Sequence, residues 1–145
     1  MLQIAFPPHE FRMKMENNRD MIFDELRKRW VVLTPEEWVR QHFLLYLTKV
    51  PQYPASLIAV EKEIRVGELR KRFDILVYDR NHQPWMMIEC KAASVQLEQA
   101  VLEQLLRYHI AVPVPYLVIT NGHSTRGFGK RENRLYELEE LPGLG

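Results

Sequence analysis

Residues 73–91 read FDILVYDRNHQPWMMIECK and carry the clearest strand pattern in the chain. Two apolar runs, 73–78 and 85–88, are separated by a polar segment that ends at Pro84. Apolar runs of this length, rich in β-branched and aromatic residues and divided by turn-forming residues, predict two antiparallel strands. The run 57–66 predicts one more strand before them, so the three segments together predict an antiparallel meander.

The sequence on both sides of the meander predicts helices. Thr34 followed by Pro35, with Glu37 three residues after the threonine, is the capping pattern of a helix that should continue to about Lys49. A second helix is predicted from Ser94 to about residue 110. The order of these elements predicts an α/β fold with a central mixed β-sheet flanked by helices.

Weaker patterns surround this core. Residues 115–120 predict a buried strand, which follows a helix and should therefore lie parallel to a neighbour. Residues 121–133 predict a polar loop, and 134–138 a last edge strand. The apolar spacing within 20–30 predicts a helix. Residues 2–6 and 11–15 could be edge strands or an arm packed on the domain.

Length and composition exclude several classes of protein. The 145 residues are 46% hydrophobic, which excludes a mostly disordered chain, and they contain no run of about 20 apolar residues that would span a membrane. The single cysteine excludes a disulfide framework, and the formal net charge of +1 excludes a broadly polycationic protein. We expect one cytoplasmic domain over 1–145, with an N-terminal extension, 1–33, before the core, 34–122.

The meander brings together residues with a common chemistry. Side chains alternate along a strand, so Glu89 and Lys91 share a face, and Asp74 on the paired strand can lie beside them. Carboxylate oxygens are the ligands that Mg²⁺ prefers, and the main-chain carbonyl of Cys90 is a natural further ligand. An amine next to such an ion can orient or deprotonate the attacking water. The pattern predicts metal-assisted phosphodiester hydrolysis.

A structural explanation of the same residues is an ion pair at the end of a strand. Residues 85–88 and Ala92-Ala93, however, make this segment too apolar for an exposed edge. Buried charges are costly unless they are paired or bound to a metal, and one acid would suffice to pair one lysine. Both interpretations stay open on the residues alone.

Asp74 followed by Glu89-Cys90-Lys91 resembles the PD-(D/E)xK nuclease superfamily, and the wider stretch resembles the N-terminal nuclease domain of type I restriction enzyme R (motor) subunits. Phe73 stands where that pattern often has a proline. The resemblance implies a restriction-endonuclease-like fold and Mg²⁺-dependent DNA cleavage, with Mn²⁺ able to substitute. The matching segments are 35–41, 59–61, 73–79, 88–92 and 116–122.

Residues on the second predicted helix extend the candidate site. Gln104 and Tyr108 are four residues apart and share a face, and a helical wheel places Gln104 among the apolar residues, pointing inward. A buried glutamine bonded to a backbone carbonyl is the structural alternative. The spacing resembles the Gln-x-x-x-Tyr signature of the RecB-type branch of these nucleases, which implies a place beside the active site.

The first helix offers two acids for the site. Glu36 lies on the wheel with the apolar side of the helix, one turn before Arg40, whereas Glu37 has the capping role. The resemblance implies a glutamate four residues before an arginine, so Glu36 is the preferred site residue. The alternatives are a Glu36–Arg40 ion pair without a catalytic role, or Glu37 as the site acid.

Basic residues are the candidate DNA contacts. Arg70, Lys71 and Arg72 lead into the strand of Asp74, and Arg40 is a fourth candidate. Such residues bind phosphates in a salt-dependent way, although a cluster of this size is often only a solvated surface. The four histidines outside the N-terminal extension have no zinc-ligand spacing and are expected on the surface or in loops.

The sequence therefore predicts a Mg²⁺-dependent deoxyribonuclease that acts on DNA. The alternative is a catalytically weak nucleic-acid-binding or assembly module that keeps the nuclease fold, and a third hypothesis is action on RNA or single-stranded DNA. Other restriction or repair subunits are the expected protein partners, homodimerisation is left open, and no membrane partner is expected. A nucleotide-binding glycine-rich loop is absent from the sequence, so a motor activity would come from a partner.

Overall fold

The computed structural model describes residues 1–132 and 134–144. Within these ranges, one sheet has six strands in the order β4-β5-β6-β7-β8-β9 and a smaller sheet has three, in the order β1-β2-β3. The strands and helices are β1 (Met13–Glu16), β2 (Arg19–Asp24), β3 (Arg29–Val32), α1 (Pro35–Lys49), β4 (Ile58–Val66), β5 (Leu69–Tyr78), β6 (Pro84–Cys90), α2 (Gln99–Ile110), β7 (Tyr116–Thr120), β8 (Thr125–Arg131) and β9 (Arg134–Glu137).

The large sheet confirms the predicted α/β, restriction-endonuclease-like arrangement. Strands β4, β5 and β6 form the expected antiparallel meander, with Ile75 of β5 opposite Val60 of β4 and Ile88 of β6. The chain then crosses over through α2, and β7 pairs parallel to β6, as predicted. Strands β8 and β9 complete the sheet in antiparallel fashion.

Helix α1 begins and ends where the sequence predicts. The Thr34 hydroxyl accepts a hydrogen bond of 3.0 Å from the Glu37 backbone N–H, so an N-terminal amide that lacks a partner in the helix is satisfied. Phe43 and Leu47 are fully buried and pack with residues of the sheet such as Ile75 and Ile88. Helix α1 therefore covers one face of the sheet and fixes its own first turn near one end of β5 and β6.

Helix α2 covers the other face, but it begins at Gln99 rather than at Ser94. Leu102 and His109 are buried, and Leu102 packs in a cluster with Phe73 of β5. The end of the helix is held by two lysines: the Lys71 ammonium donates to the Tyr108 carbonyl at 2.7 Å, and the Lys130 ammonium donates to the carbonyls that follow it. Positive charge is favourable at a helix C-terminus.

The predicted helix over 20–30 is wrong, because this segment belongs to the antiparallel sheet β1-β2-β3. Asn17 and Asn18 connect β1 to β2 with φ of 53° and 61°, the conformation of a two-residue hairpin turn. Side chains along β2 alternate, so Ile22 and Asp24 are fully buried while their neighbours are half-exposed. A period of two was mistaken for a helical period because four large apolar residues lie within nine positions.

Two further segments refine the prediction. Leu2 is buried and forms an isolated antiparallel bridge with Thr125, so residues 2–6 form an arm on the domain rather than a named strand. The predicted loop over 121–133 is wrong for Thr125–Arg131, which is strand β8, and Asn133 lies outside the described residues. Gly129 of β8 faces the Tyr136 ring so closely that no Cβ would fit. This glycine serves packing between strands, not loop flexibility.

Residue 134 does begin the predicted edge strand, since β9 extends from Arg134 to Glu137 and pairs only with β8 in the described part of the sheet. No helix in the described ranges is long and apolar enough to cross a membrane.

Candidate active site

Strands β5 and β6 bring Asp74 and Glu89 side by side, as predicted. Ile75 pairs with Ile88, so Asp74 and Glu89 are the next residues on the side away from the turn of the hairpin. The Asp74 carboxylate accepts a hydrogen bond of 2.7 Å from the backbone N–H of Cys90, the residue between Glu89 and Lys91. One carboxylate is thereby fixed against the backbone that carries the other.

At Asp74, the regular alternation of side chains along strand β5 is interrupted. Residues two apart on a regular strand point to the same side, yet Phe73 packs with the cluster around α2 and Ile75 with the cluster around α1. The β4 residues Val60 and Lys62 pair with Ile75 and Phe73, whereas Glu61 between them has a φ of 54°, an irregular conformation for a strand. The irregularity places Asp74 between the two layers, where it is 3.7 Å from Arg40 of α1.

Burial and the neighbouring charge of Glu89 raise the pKa of Asp74 to about 6, although the Cys90 N–H bond and Arg40 oppose the rise. Two acids that share a site disfavour each other's ionised form, and a cation between them would remove that penalty. The donor set of two carboxylates and a main-chain carbonyl is hard and anionic, which suits Mg²⁺, an ion that usually retains several waters. In the described part of the chain, no cluster of three or more His, Cys, Asp or Glu side chains forms a fuller metal cage.

We expect Asp74→Asn to stabilise the metal-free protein at high pH. The folded-state pKa of about 6 exceeds the ordinary value of 3.8, so the stabilisation from the proton is complete below about pH 4 and is lost as the pH rises through 6. The asparagine carries no charge and can still accept from Cys90. In EDTA, its free energy of unfolding should exceed that of the native protein by about 1–3 kcal/mol at pH 8, with the difference vanishing near pH 4.

Urea denaturation at the two pH values measures this difference. The matched control is Glu63→Gln, which removes an exposed carboxylate from β4, where its side chain is 48% exposed. The control should show no comparable pH-dependent gain. A gain for Asp74→Asn that is equal at pH 4 and pH 8 would contradict the explanation.

On α1, Glu36 and Glu37 both line the cleft that contains Asp74, but only Glu37 is buried and bonded to Arg40, so the structure favours Glu37 over the preferred Glu36. Glu36 is exposed, whereas Glu37 is only 5% exposed and accepts hydrogen bonds from the Arg40 guanidinium at 2.6 and 2.8 Å. The wheel placed Glu36 with the apolar residues, and Glu37 was assigned only the capping role. In the structure, the Glu37 side of the helix is covered by Asp24 of β2, which bonds Gln41, and by Arg27 of the β2–β3 connection, which lies 3.6 Å from Glu37.

Arg40 is placed at the centre of a group of carboxylates. Beyond Glu37, its guanidinium lies 3.2 Å from Glu61 and 3.7 Å from Asp74, and its side chain is only 11% exposed. A guanidinium already paired in this way is a weak candidate for direct contact with DNA phosphates, contrary to the prediction. Its evident role is to connect α1 to the acidic end of β4 and β5.

A cleft of about 540 Å³ opens above this group. Asp74, Glu37 and Glu61 lie along one side, and the N-terminal sheet contributes the opposite side through Arg29 and Trp30. Sequence reasoning missed Glu61 and the N-terminal residues because their position depends on how β1-β2-β3 packs on α1. Glu61 is followed directly by Lys62 and Glu63, a charged run on the strand before Asp74 that carried no signal by which Glu61 could have been identified.

Lys91, Gln104 and Tyr108 line a separate depression beside α2. Gln104 and Tyr108 thus lie near Lys91, as the resemblance implies, but Lys91 and Asp74, which were predicted to converge, line different depressions. Gln104 is exposed and not inward, and Tyr108 is 52% exposed. The wheel was wrong because it included residues before Gln99, where the helix has not begun. The face turned to the sheet is instead marked by Leu102 and His109.

The basic cluster divides between two sides of β5. Contrary to the prediction that Lys71 contacts DNA, its side chain is buried, its ammonium bonds the Tyr108 carbonyl, and it lies over the Tyr108 ring. Strand β5 starts at Leu69, so alternation turns Lys71 inward. Arg70 and Arg72 pair with Glu63 and Glu61 at 3.7 and 3.2 Å, but unlike Arg40 they are 65% and 69% exposed and stay accessible to a phosphate.

His109 is a residue that sequence reasoning placed wrongly, on the surface. It is 1% exposed, and its Nε2 lies 3.3 Å from a carboxylate oxygen of Glu89. Neither ring nitrogen makes a hydrogen bond within the described structure. Its position seven residues after the buried Leu102 on the same helix was the available signal.

Comparison with known proteins places the chain in a family. None of the curated proteins matches it. The model of the family described as the type I restriction enzyme R protein N terminus matches residues 35–142, which contain α1, Asp74, Glu89, Lys91 and the whole six-stranded sheet. The small sheet β1-β2-β3 lies before the matched range. On this match, the chain belongs to the family of type I restriction enzyme R protein N termini.

Proposed function

We propose that the protein is a divalent-metal-dependent nuclease that hydrolyses phosphodiester bonds in DNA. The observation that carries the proposal is the Asp74–Glu89 pair, held against the backbone of β6 by the 2.7 Å bond from the Cys90 N–H. Membership in a restriction enzyme family supports a role connected with DNA. A pair of half-buried acids next to each other is costly to stability, which is typical of a site built for a ligand.

Asp74, Glu89 and the main-chain carbonyl of Cys90 would hold Mg²⁺, for which Mn²⁺ can substitute. When bound, such an ion offsets negative charge on the phosphate and lowers the pKa of a bound water. Glu37 and Arg40 hold the Asp74 side of the site in place, because the Arg40 guanidinium lies within 4 Å of both the Glu37 and the Asp74 carboxylates.

The remaining steps belong to side chains of the chain itself. Lys91 would orient the attacking water, and its side chain, as the neutral amine, would accept the proton that the water gives up and become an ammonium. Gln104 and Tyr108, which line the same depression as Lys91, position that amine or the DNA. The exposed Arg70 and Arg72 contact phosphates at a distance from the reacting bond.

The proposal includes DNA as substrate, restriction or repair subunits as protein partners, and a cytoplasmic location; a second copy of the chain is a further candidate partner. A motor subunit in particular would bring distant DNA to the site.

One observation favours a second function, a nucleic-acid-binding or assembly module with little cleavage. Lys91 lines the depression beside α2, whereas Asp74 lines the cleft beside α1. The amine and this carboxylate thus border different concave surfaces. Unless the amine turns toward the acids when DNA binds, the protein would bind DNA without cutting it efficiently.

Cleavage of supercoiled plasmid and of labelled oligonucleotides, with Mg²⁺ or Mn²⁺ and with EDTA, tests the proposal. We expect metal-dependent nicking that falls about 10²–10⁴-fold in Lys91→Ala, the usual effect of losing a proton-transfer group. The matched control is Lys62→Ala, an exposed lysine on β4. Equal rates for Lys91→Ala and the native protein would reject the mechanism, and DNA binding without cleavage under any condition would establish the second function instead.

A further inference from the structure

The N-terminal sheet has one face packed on α1 and one face turned to solvent. Residues directly opposite in antiparallel strands share a face, as do residues two apart on one strand. Ile22 and Asp24 are fully buried on the inner side. We call the other side the outer face, and the pairing of the strands assigns to it Arg12, Lys14, Glu16, Arg19, Met21, Phe23, Trp30 and Val32.

The outer face combines aromatic rings with positive charge. Phe23 and Trp30 are half-buried and meet edge to face, with their ring centroids 5.3 Å apart. The Arg12 guanidinium lies 4.7 Å from the centre of the Phe23 ring, and the Lys14 ammonium lies 4.5 Å from that of Trp30. Three cations stand against one carboxylate, Glu16, which pairs with Lys14. The face therefore has a net positive charge.

The outer face continues into the cleft of the candidate active site. Met21, Trp30 and Val32 belong to this face, and all three also line the cleft that contains Asp74. The sheet is fixed in this position, because the fully buried Asp24 bonds Gln41 of α1 as well as its own neighbour Arg27. A ligand lying across Trp30 would thus be directed toward the acidic end of β5.

We propose that the outer face binds single-stranded DNA and leads it to Asp74. Grooves that combine positive charge with aromatic rings bind single strands, since unpaired bases stack on the rings and phosphates meet the cations. The paired bases of a duplex stack on each other and leave no base face for Phe23 or Trp30. The face lies before the range matched by the family, 35–142. The direction toward Asp74 rests on the proposed function; the binding itself does not.

Fluorescence anisotropy of a labelled 15-nucleotide oligothymidine, in EDTA, tests the binding without cleavage. We expect the single strand to bind more tightly than a duplex of the same length. Trp30→Ala should weaken binding about fivefold or more, the effect of losing one stacked base, while Trp30→Phe should retain most of the affinity. The control is Trp38→Ala, which removes an exposed tryptophan from α1, outside the outer face, and should change nothing.

A second measurement avoids any question of folding, because it changes only exposed side chains. Affinity falls as salt rises, and Lys14→Gln and Arg12→Gln should each make the slope of log affinity against log salt concentration shallower by about one. Trp30→Ala protein that is folded and binds the oligothymidine normally, or tighter binding of the duplex, would overturn the proposal. Binding of oligouridine without binding of oligothymidine would overturn the assignment to DNA.

The two proposals fail in different ways. Binding that depends on Trp30, in a protein that never cleaves, would support the outer face and reject the nuclease. Metal-dependent cleavage that is unaffected by Trp30→Ala would support the nuclease and reject the outer face as the route of the strand.

Discussion

Asp74→Asn is expected to weaken Mn²⁺ binding about a hundredfold or more and to remove metal-dependent cleavage. Loss of a side chain that only supports a metal ligand already costs about 10–100-fold in affinity, so loss of a ligand should cost at least as much. Titration calorimetry with Mn²⁺ at pH 8 measures the affinity, well above the pKa of about 6 at which Asp74 releases its proton.

Glu89→Gln should have a similar effect, and the double variant should be little worse than either single one, because both acids would serve one ion. The control is again Glu63→Gln on the exposed side of β4, which should bind Mn²⁺ as the native protein does. Unchanged Mn²⁺ affinity in both active-site variants would mean that the Asp74–Glu89 pair is not a metal site. Asp74→Asn would then remain only the more stable protein expected at high pH.

Asp24→Ala is expected to lower the free energy of unfolding by about 3–4 kcal/mol, since removing one partner of a buried ion pair leaves a buried charge alone. Asp24 is fully buried and accepts from the Arg27 backbone N–H at 2.8 Å, the Arg27 side chain at 2.6 Å and Gln41 at 3.0 Å. Although burial acts to raise its pKa, these bonds hold the pKa below the ordinary value.

Urea denaturation at pH 7 measures the loss for Asp24→Ala. Asp20→Ala is the matched control, because Asp20 lies on the same strand with its side chain exposed. Asp24→Asn keeps an acceptor for the Arg27 amide but loses the charge, so its cost should be intermediate. A loss below about 1 kcal/mol for Asp24→Ala would show that the N-terminal sheet does not depend on this contact.

The core of the fold could be predicted because its signals are local. The cap at Thr34, the two apolar runs around the turn before Pro84 and the buried strand Tyr116–Thr120 each depend on residues close in sequence. The proximity of Asp74 and Glu89 followed from the pairing of two neighbouring strands, which needs no distant contact. Most of the candidate metal site was therefore within reach of the sequence.

The errors concern contacts between distant segments. The preference for Glu37 over Glu36 depends on Asp24 and Arg27, which lie in the segment 20–30 that was mistaken for a helix. The outward position of Gln104 depends on where α2 begins, and the buried position of Lys71 on β5 starting before the basic cluster. Helical wheels give the relative positions of side chains on a helix, but not which side another segment will cover.

Cys90 gives the protein an internal reporter. Burial raises the pKa of this thiol well above its ordinary value, so the reactive thiolate is scarce while the fold is closed. It is the only cysteine of the chain, and it lies between Glu89 and Lys91. The rate at which a thiol reagent modifies the protein therefore measures how often the end of β6 opens, without any introduced label.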